Sequence, residues 1–426
     1  MNWTERDKAV VWHGFTQMDC YADNAPVIVE RGEGRELIDV EGRRYLDAFS
    51  SLWVTTLGHR VPELDQALRD QIDRIAHSTL LGNGGRAVIE FAEALALVVP
   101  VDSPHFLFAS DGAAAVEQAL KIAFQYWTNS GVKGRNRYLA FGGAYHGDTV
   151  GSLSVGAGGF GTDVFDPLRF PVIRAPSFNE PHAFETAAAL IERHRDELAA
   201  VIIEPLVQGA AGMQFAAPDE INRIAAACAR TGVLLICDEV ATGFGRTGTM
   251  FASEQCGLRP HLMCLGKGIT GGYLPMSATV ASQRVFDAFL GPDLSERTFY
   301  HGHSYGGNAL ASAVALRHLQ LFAERKVLNN VVARSEQLRA SLKALAQANS
   351  CIEEVRLVGL MGAVQISEAA GASRTARKIA AAMVRRGVLT RSLGNVVTLV
   401  PPLTITAAEI DRIVDALAVA IDEVVS

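Results

Sequence analysis

The chain has 426 residues, of which 49% are hydrophobic and 20% are charged, a composition typical of a soluble globular protein. This length favours two domains, and the net charge of -7 at pH 7 argues against binding nucleic acid or an anionic membrane as the main task. The start, MNWTERDKAV, has no signal-peptide core, no apolar run reaches membrane-spanning length, and the six cysteines form no CxxC pair. These features predict a cytoplasmic protein with reduced thiols.

Short apolar runs and helical patterns follow one another along the first three quarters of the chain. LIDVEGRRYLDAFS predicts a hairpin with its turn at Glu41-Gly42. From about residue 104 to 280, strand and helix patterns alternate, which predicts a largely parallel sheet covered on both faces. The strand candidates are HFLFAS (105–110), RYLAFGG (137–143), AAVIIEPL (199–206), GVLLICDEV (232–240) and HLMCLGKG (261–268).

Helical spacing marks the segments between and after these strands. One predicted helix follows the first strand, with its buried face at Val116, Leu120, Ala123, Phe124 and Trp127. Residues 308–347 predict amphipathic helices, and Thr406 and Glu409 form a capping box that begins the last helix. We therefore predict an N-terminal segment, 1–55, that joins a small domain, a large domain over 56–307, and a small α+β domain over 308–426.

Two short patterns resemble binding motifs but lack the context that those motifs need. GAGGFG (156–161) fits the dinucleotide pattern G-x-G-x-x-G, with Glu180 about 20 residues further on. Its last glycine is followed by TDVFDPLRFPV, which has two prolines and no helical period, so we predict a flexible loop there instead. His301 and His303 have no acidic or cysteine cluster beside them, and we predict no metal site.

Polar residues lie at or directly after the ends of the predicted strands. Ligands of a parallel sheet bind where its strands end at their carboxyl side. At SDGA (110–113) a strand turns into a helix, where exposed backbone N–H groups could hold a phosphate. The alternative is a helix capped by Ser110 or Asp111. The other residues at strand ends are His146, Asp238 and Lys267.

Asp238 and Lys267 each have two interpretations. A carboxylate at the end of an apolar strand needs a partner, either an arginine such as Arg246 or the protonated ring nitrogen of a cofactor. Lys267, in MCLGKGITGGYLP, either reaches the surface or is a desolvated nucleophile with a depressed pKa, able to form a Schiff base. With Tyr145 as an aromatic for a ring face, the acid, the amine and the phosphate site match what pyridoxal phosphate needs.

Longer segments resemble the class III aminotransferases of PLP fold type I over nearly the whole chain. These segments are SDGAAAVEQALKIAFQYW, AYHGDTVGSLSVG, IIEPLVQGAAGM, DEVATGFGRTG, LGKGITGGYLP and HGHSYGGNALA. The resemblance implies an α/β fold of that type, with a large domain on a mostly parallel sheet and a smaller α+β domain. It also implies an aminotransferase with pyridoxal 5'-phosphate as cofactor.

The resemblance assigns cofactor roles to matched positions. Lys267 would join the cofactor and carry protons, Asp238 would pair with the pyridine nitrogen, and Tyr145 would stack on one ring face. Gly112 and Ala113 would donate their backbone N–H groups to the phosphate, and Val240 would pack on the other ring face. Glu204 matches a supporting glutamate near the cofactor.

The resemblance also implies partners and a substrate pocket. Ser304 stands where the family places a phosphate-binding hydroxyl from the neighbouring subunit, which implies a homodimer with shared active sites. Arg391 would receive the carboxylate of a small-molecule substrate. Three further residues would line the substrate pocket: Phe15, Trp53 and Asp148.

Within the class, WHGFTQM, SSLWVTTLGH, AHSTLLG and TRSLGNVVTLVPPL are most similar to the branch that serves biotin biosynthesis. This similarity implies amino transfer to the keto acceptor 7-keto-8-aminopelargonate, in ping-pong order through pyridoxamine phosphate. The donor stays open between S-adenosylmethionine and L-lysine. Phe15 and Leu52 replace a Tyr and a Trp of some members, as in a lysine-using subgroup, while Ser392 and Thr398 are further departures.

Two alternatives remain. An ω-amino acid or amine:pyruvate aminotransferase would share the cofactor residues and an arginine near Arg391. Ala210 and Ala211 replace the acidic residue of the GABA and ornithine branches, which disfavours those branches but not the pyruvate-dependent one. A non-enzymatic PLP-binding protein on the same scaffold is disfavoured because Lys267, Asp238 and Tyr145 are all present.

Overall fold

The structure is a computed structural model that describes residues 1–24, 26–158, 161–367 and 371–425. Its main element is a seven-stranded sheet, called the large sheet below. In spatial order its strands are His105–Ala109, Ser277–Ala281, Leu262–Leu265, Leu234–Asp238, Leu198–Ile203, Arg137–Phe141 and Ile173–Ala175. Of these described strands, only Ser277–Ala281 runs against the common direction. The predicted, mostly parallel sheet is confirmed.

The large sheet is buried on both faces. In strand Leu198–Ile203, Val201 packs into a hydrophobic core shared with helices on one side, and its neighbour Ile202 packs with helix Gly112–Asn129 on the other side. Successive side chains of a strand point to opposite faces, so a strand covered on both sides must be apolar along its whole length. This explains why these strands appear in the sequence as continuous apolar runs.

Helix Gly112–Asn129 packs against the large sheet through four of the five predicted side chains. The prediction was wrong for Phe124, which is 48% exposed. Successive residues of a helix point about 100° apart, so Phe124, directly after the buried Ala123, turns away from the sheet.

Helices surround the large sheet and fill the C-terminal part. The α-helices of the described residues are Trp3–Val10, Pro62–Ile72, Arg86–Ala96, Gly112–Asn129, Val150–Val155, Ala183–Arg193, Pro218–Thr231, Ala252–Gln255, Gln283–Asp287, Ala309–Glu324, Val327–Ala348, Ala372–Arg385 and Ala407–Val425. The 3-10 helices are Met18–Cys20, Ala22–Asn24, Asp163–Leu168 and Lys267–Thr270. The predicted capping box begins the last α-helix, because Thr406 N donates to Glu409 Oε2 at 2.8 Å. In the described ranges, no helix is both long and apolar enough to cross a membrane.

Smaller sheets involve the two ends of the chain. In the first, called the N-terminal sheet, the order is Val29–Glu33, Glu36–Asp39, Arg44–Asp47 and Val388–Leu389. The others contain Ile352–Val358, Met361–Ile366, Val396–Leu399 and Ser392–Leu393, and the pair Val207–Gln208 with Gln214–Phe215. The predicted hairpin with its turn at Glu41-Gly42 is present. The division into domains at residues 55 and 307 stays a prediction.

The dinucleotide-like motif falls partly outside the described residues. Gly159 and Phe160 of GAGGFG are not described, so the predicted loop stays a prediction there. After the motif comes the 3-10 helix Asp163–Leu168, which contains Pro167.

A helical turn at Ser50–Trp53 is left-handed. All four of its residues have positive φ, between 48° and 71°, although none is glycine. Side chains with a Cβ disfavour this conformation, and nothing in SSLW predicted it.

Candidate active site

The loops after five parallel strands bring polar residues to one edge of the large sheet. Because the strands run in the same direction, their carboxyl ends lie side by side. The loops enclose a cavity of about 450 Å³. Eight of the predicted site residues line this cavity: Trp53, Gly112, Ala113, Tyr145, Asp148, Asp238, Val240 and Lys267.

Lys267 follows strand Leu262–Leu265 and is held in an unusual backbone conformation. Its φ is +39°, a left-handed value that costs a residue with a side chain roughly 1–3 kcal/mol. The side chain is largely enclosed, and Nζ makes no hydrogen bond within the described residues. Nζ lies 5.3 Å from the centre of the Trp53 ring. Burial lowers the pKa of Lys267, while the negative charges of Asp238 and Glu204 act in the opposite direction.

Asp238 ends a central strand, and its side chain is oriented by two donors. Its Oδ1 accepts a hydrogen bond from the backbone N–H of Val240 at 3.0 Å. Its Oδ2 lies 2.7 Å from Nδ1 of His146, which is also buried. The alternative partner considered from the sequence, Arg246, does not contact Asp238. The buried Arg246 guanidinium donates instead to the carbonyl oxygens of Pro401 and Thr55.

Glu204 follows strand Leu198–Ile203 and is a buried acid beside the same cavity. Its carboxylate accepts hydrogen bonds from the backbone N–H groups of Tyr145, at 3.1 Å, and Gly209, at 3.2 Å. Burial raises the pKa of Glu204 to about 7, helped by Asp238 and opposed by His146. Glu204 therefore holds the loop that carries Tyr145.

Tyr145 and Asp148 are joined at the mouth of the cavity. The Tyr145 hydroxyl donates to Asp148 Oδ2 at 2.8 Å. Burial, together with Asp148, raises the pKa of Tyr145 above its usual range, so the phenol keeps its proton. The phenol ring and the carboxylate thus lie together on the solvent side of the site.

The helix that begins at Gly112 presents free backbone donors to the cavity. Asp111 caps this helix, because its Oδ1 accepts from Ala114 N at 2.9 Å, so the capping alternative is correct for Asp111. The cap leaves the N–H groups of Gly112 and Ala113 without an acceptor in the described part of the chain. A Cβ at Gly112 would lie 2.6 Å from Val240 Cγ1, so a larger residue there would force either Val240 or the start of the helix to move.

These residues fit pyridoxal phosphate. Two free N–H groups at a helix N-terminus suit a phosphate, a buried carboxylate suits a protonated ring nitrogen, and an enclosed amine suits an aldehyde. The Val240 side chain packed on Gly112 offers an apolar surface between them. The donor set therefore agrees with the cofactor expected from the sequence.

Three predicted residues are not among those that line the cavity. Phe15 is 69% exposed and has a positive φ of 54°. Arg391 is exposed, its guanidinium lies 5.7 Å from the centre of the Phe49 ring, and it has no ion-pair partner in the described residues. Ser304 is exposed, and its carbonyl oxygen lies 2.8 Å from His77 Nε2. Their roles stay predictions.

Sequence reasoning did not assign a role to His146. The structure makes it the side-chain partner of Asp238, and its Nε2 is buried without a hydrogen-bond partner in the described residues. The available signal was its position directly after a strand, beside Tyr145. Which side chain contacts Asp238 depends on the conformation of the loop after strand Arg137–Phe141, and that conformation cannot be predicted from the sequence.

Known proteins resemble the chain over almost its whole length. Residues 18–421 match the family model described as Aminotransferase class-III. The adenosylmethionine-8-amino-7-oxononanoate aminotransferase of Nitratidesulfovibrio vulgaris is 43% identical, covering 97% of this chain and 80% of that protein. Class III aminotransferases depend on pyridoxal phosphate.

Solved structures agree with the fold. The crystal structure of adenosylmethionine-8-amino-7-oxononanoate aminotransferase from Methanocaldococcus jannaschii has a TM-score of 0.95 and 38% identity, covering 99% of this chain and 98% of that one. A PLP-bound amine transaminase from an uncultivated Pseudomonas species has a TM-score of 0.91 and 33% identity, covering 97% of this chain and 99% of that one.

Proposed function

Because the chain belongs to the class III aminotransferase family, we propose that it transfers an amino group to 8-amino-7-oxononanoate, also called 7-keto-8-aminopelargonate, in biotin biosynthesis. The observation that carries this proposal is the similarity, at 43% identity over 97% of the chain, to a relative named for that acceptor. The cavity supports the chemistry, since it combines an enclosed amine with a buried acid and free phosphate donors.

Each part of the cofactor has a protein group to hold it. The N–H groups of Gly112 and Ala113 bind the phosphate at the helix N-terminus. Asp238, oriented by His146, binds the protonated pyridine nitrogen. Tyr145 and Val240, which both line the cavity, would hold the two faces of the ring. When bound, pyridoxal phosphate supplies an aldehyde for the amine and a ring that accepts electrons.

Lys267 has two tasks in this proposal. Its amine would hold the cofactor through the aldehyde, and with a substrate bound, Nζ would take the proton from the substrate carbon that carries the nitrogen. The lowered pKa of Lys267 favours both tasks, because more of the amine is unprotonated near neutral pH. In the second half-reaction Lys267 returns a proton to the acceptor carbon.

The substrate pocket extends outward from Lys267 past Trp53. Arg391 binds the substrate carboxylate, which is supported by its free guanidinium in the described residues. Asp148, with Phe15 and Trp53, forms the rest of the pocket. The residues at these positions are compatible with either S-adenosylmethionine or L-lysine as the amino donor.

We also propose a homodimer in which Ser304 of one subunit binds the phosphate in the other. A group of exposed apolar side chains supports it: Leu80, Leu81 and Tyr305 are 38%, 89% and 63% exposed. The rings of His77 and Tyr305, 4.9 Å apart, connect this group to the loop of Ser304. Monomers rarely leave such surface uncovered. We place the enzyme in the cytoplasm, since its six cysteines are free thiols.

Mixing two inactive variants tests the dimer. Lys267→Ala removes the amine, and Ser304→Glu puts a negative charge where the phosphate would bind. In a mixed dimer with shared sites, one site receives an intact Lys267 and an intact Ser304, so activity returns. No recovery in mixtures shown by mass to contain the mixed dimer would contradict shared sites.

An amine:pyruvate aminotransferase is the second candidate, favoured by the structural similarity to the Pseudomonas amine transaminase. A panel of donors and acceptors separates the two functions. S-adenosylmethionine, L-lysine, L-alanine and β-alanine are each paired with 8-amino-7-oxononanoate and with pyruvate. The proposed function requires turnover of 8-amino-7-oxononanoate with at least one donor. Turnover of pyruvate alone would establish the second candidate instead.

A further inference from the structure

The left-handed turn Ser50–Trp53 places two aromatic rings, those of Phe49 and Trp53, near Arg391 and Lys267 of the proposed site. Trp53 at its end lies over Lys267, with Nζ 5.3 Å from the ring centre. Phe49, directly before the turn, makes an edge contact with Trp53 at 6.2 Å between ring centres. The Arg391 guanidinium lies 5.7 Å from the Phe49 ring. The two aromatic rings therefore lie between the cation that would bind a carboxylate and the amine that would do the chemistry.

A turn of four non-glycine residues with positive φ is sterically unfavourable and needs support. Asp47 provides it, because its Oδ1 accepts from Ser51 N at 3.0 Å and its Oδ2 accepts from Ser51 Oγ at 2.8 Å. Oδ2 also lies 3.0 Å from His59 Nε2. Asp47 is fully buried, so these hydrogen bonds replace the water that its carboxylate loses on folding.

Asp47 also joins this turn to the segment of Arg391. It ends strand Arg44–Asp47 and pairs in parallel with Leu389, two residues before Arg391. On the far side of Arg391, Val400 donates its N–H to the carbonyl oxygen of Ala48 at 2.8 Å. The turn and the Arg391 segment are thus connected on both sides.

We propose that Asp47 is a positioning residue that fixes the Phe49–Trp53 pair between Arg391 and Lys267. It thereby sets the distance between a carboxylate bound at Arg391 and a reacting carbon beside Lys267. This inference rests on the proposed role of Arg391 in binding that carboxylate. Asp47 itself touches neither substrate nor cofactor in this arrangement.

Asp39 offers a matched control, since it is a second buried aspartate that ends the neighbouring strand of the N-terminal sheet. Its Oδ1 accepts from the backbone N–H groups of Glu41 and Arg43, both at 2.9 Å, and it has no contact with the aromatic pair. Asp39→Asn should lower thermal stability about as much as Asp47→Asn. Only Asp47→Asn should disturb the pocket.

The test measures binding of nonanoate, a monocarboxylic acid without a reacting carbonyl, to the holoenzymes by calorimetry. We expect Asp47→Asn to raise its Kd about 10-fold, because small displacements of a binding group have effects of this size or larger. The same variant should raise KM for the keto acceptor and weaken the near-ultraviolet circular dichroism of tryptophan. Asp39→Asn should leave all three quantities at their wild-type values.

The outcomes separate this inference from the proposed function. If Arg391→Ala leaves nonanoate binding unchanged, the carboxylate site is wrong, and the role of Asp47 fails with it. If binding depends on Arg391 but is equal in Asp47→Asn and wild type, only the inference about Asp47 is overturned. Should Asp47→Asn not fold, Ser51→Ala removes a single hydrogen bond to Asp47 and should raise the Kd about 3-fold. An unchanged Kd in that variant would also overturn the inference.

Discussion

Nδ1 of His146 lies 2.7 Å from Oδ2 of Asp238, and both side chains are buried at the carboxyl edge of the large sheet. The second carboxylate oxygen of Asp238 accepts from Val240 N. A buried carboxylate that accepts from two fixed donors is held in one orientation. The two donors, His146 and Val240, come from two different loops. The position of the acid relative to Lys267 is therefore set before any cofactor binds.

Asp238→Asn should lower kcat about 100-fold or more, because an amide cannot hold a proton at a pyridine nitrogen as a carboxylate does. Steady-state kinetics with a fixed donor and acceptor measure the effect. The adjacent Glu239 is a matched control, since it is also buried but accepts its hydrogen bonds from Thr242, Ala252 and Ser253. Glu239→Gln should lower thermal stability and leave kcat within about 3-fold. Equal losses of kcat in both variants would argue against a special role for Asp238.

Lys267→Ala should retain pyridoxal phosphate through the phosphate and ring contacts but lose turnover. General acid–base catalysis contributes about 10²–10⁴-fold, and loss of the nucleophile adds to this, so we expect kcat to fall by at least about 10⁴-fold. Cofactor content is measured by absorbance after dialysis, and turnover by product formation. Activity of this variant at the wild-type level would refute the assignment of Lys267.

The strand-end residues could be predicted because they depend on local sequence. Each of these residues follows an apolar run: Lys267, Asp238, Tyr145 and Gly112. Parallel strands bring such positions together at one edge of the sheet, independently of the conformation of the loops. The contact of His146 with Asp238 could not be predicted, because it depends on the path of a loop. The left-handed turn at Ser50–Trp53 could not be predicted either, because it contains no glycine, the residue that usually indicates a positive φ. Strand Ser277–Ala281 was not predicted either, because SATVA is short and has no extended apolar run.

Glu204 should make stability depend on pH. Burial raises its pKa from 4.5 in a free side chain to about 7 in the folded protein. The folded chain therefore binds a proton between these values that the unfolded chain releases, so this contribution is present below pH 4.5 and is lost as pH rises through about 7. The difference amounts to about 3 kcal/mol of unfolding free energy.

Glu204→Gln keeps the size of the side chain and one of the two acceptor oxygens that Tyr145 N and Gly209 N use, but it cannot ionise. The loss of one hydrogen bond lowers stability equally at all pH values, so it does not affect the pH dependence. In cofactor-free protein, the variant should become more stable relative to wild type as pH rises from about 5 to about 8. Urea unfolding at both pH values measures the difference. A constant difference between the two proteins would show that Glu204 does not titrate in this range.

The contact between Gly112 and Val240 predicts a coupled pair of substitutions. A Cβ at Gly112 would lie 2.6 Å from Val240 Cγ1, closer than atoms can approach. Gly112→Ala should therefore push the start of the helix away from Val240 and displace the N–H groups proposed to hold the phosphate. We expect the Kd for pyridoxal phosphate to rise about 10-fold, as for the loss of one charge-assisted hydrogen bond.

Val240→Ala removes the two methyl groups that a Cβ at Gly112 would meet, so the double variant Gly112→Ala/Val240→Ala should bind pyridoxal phosphate more tightly than Gly112→Ala alone. Val240→Ala by itself should weaken binding only slightly, since it loses apolar contact with the ring but no hydrogen bond. Equilibrium titration of the four proteins gives the coupling free energy of the pair. Additive effects would mean that the packing of Gly112 against Val240 does not set the position of the helix, and that Gly112→Ala acts through its own contact with the phosphate.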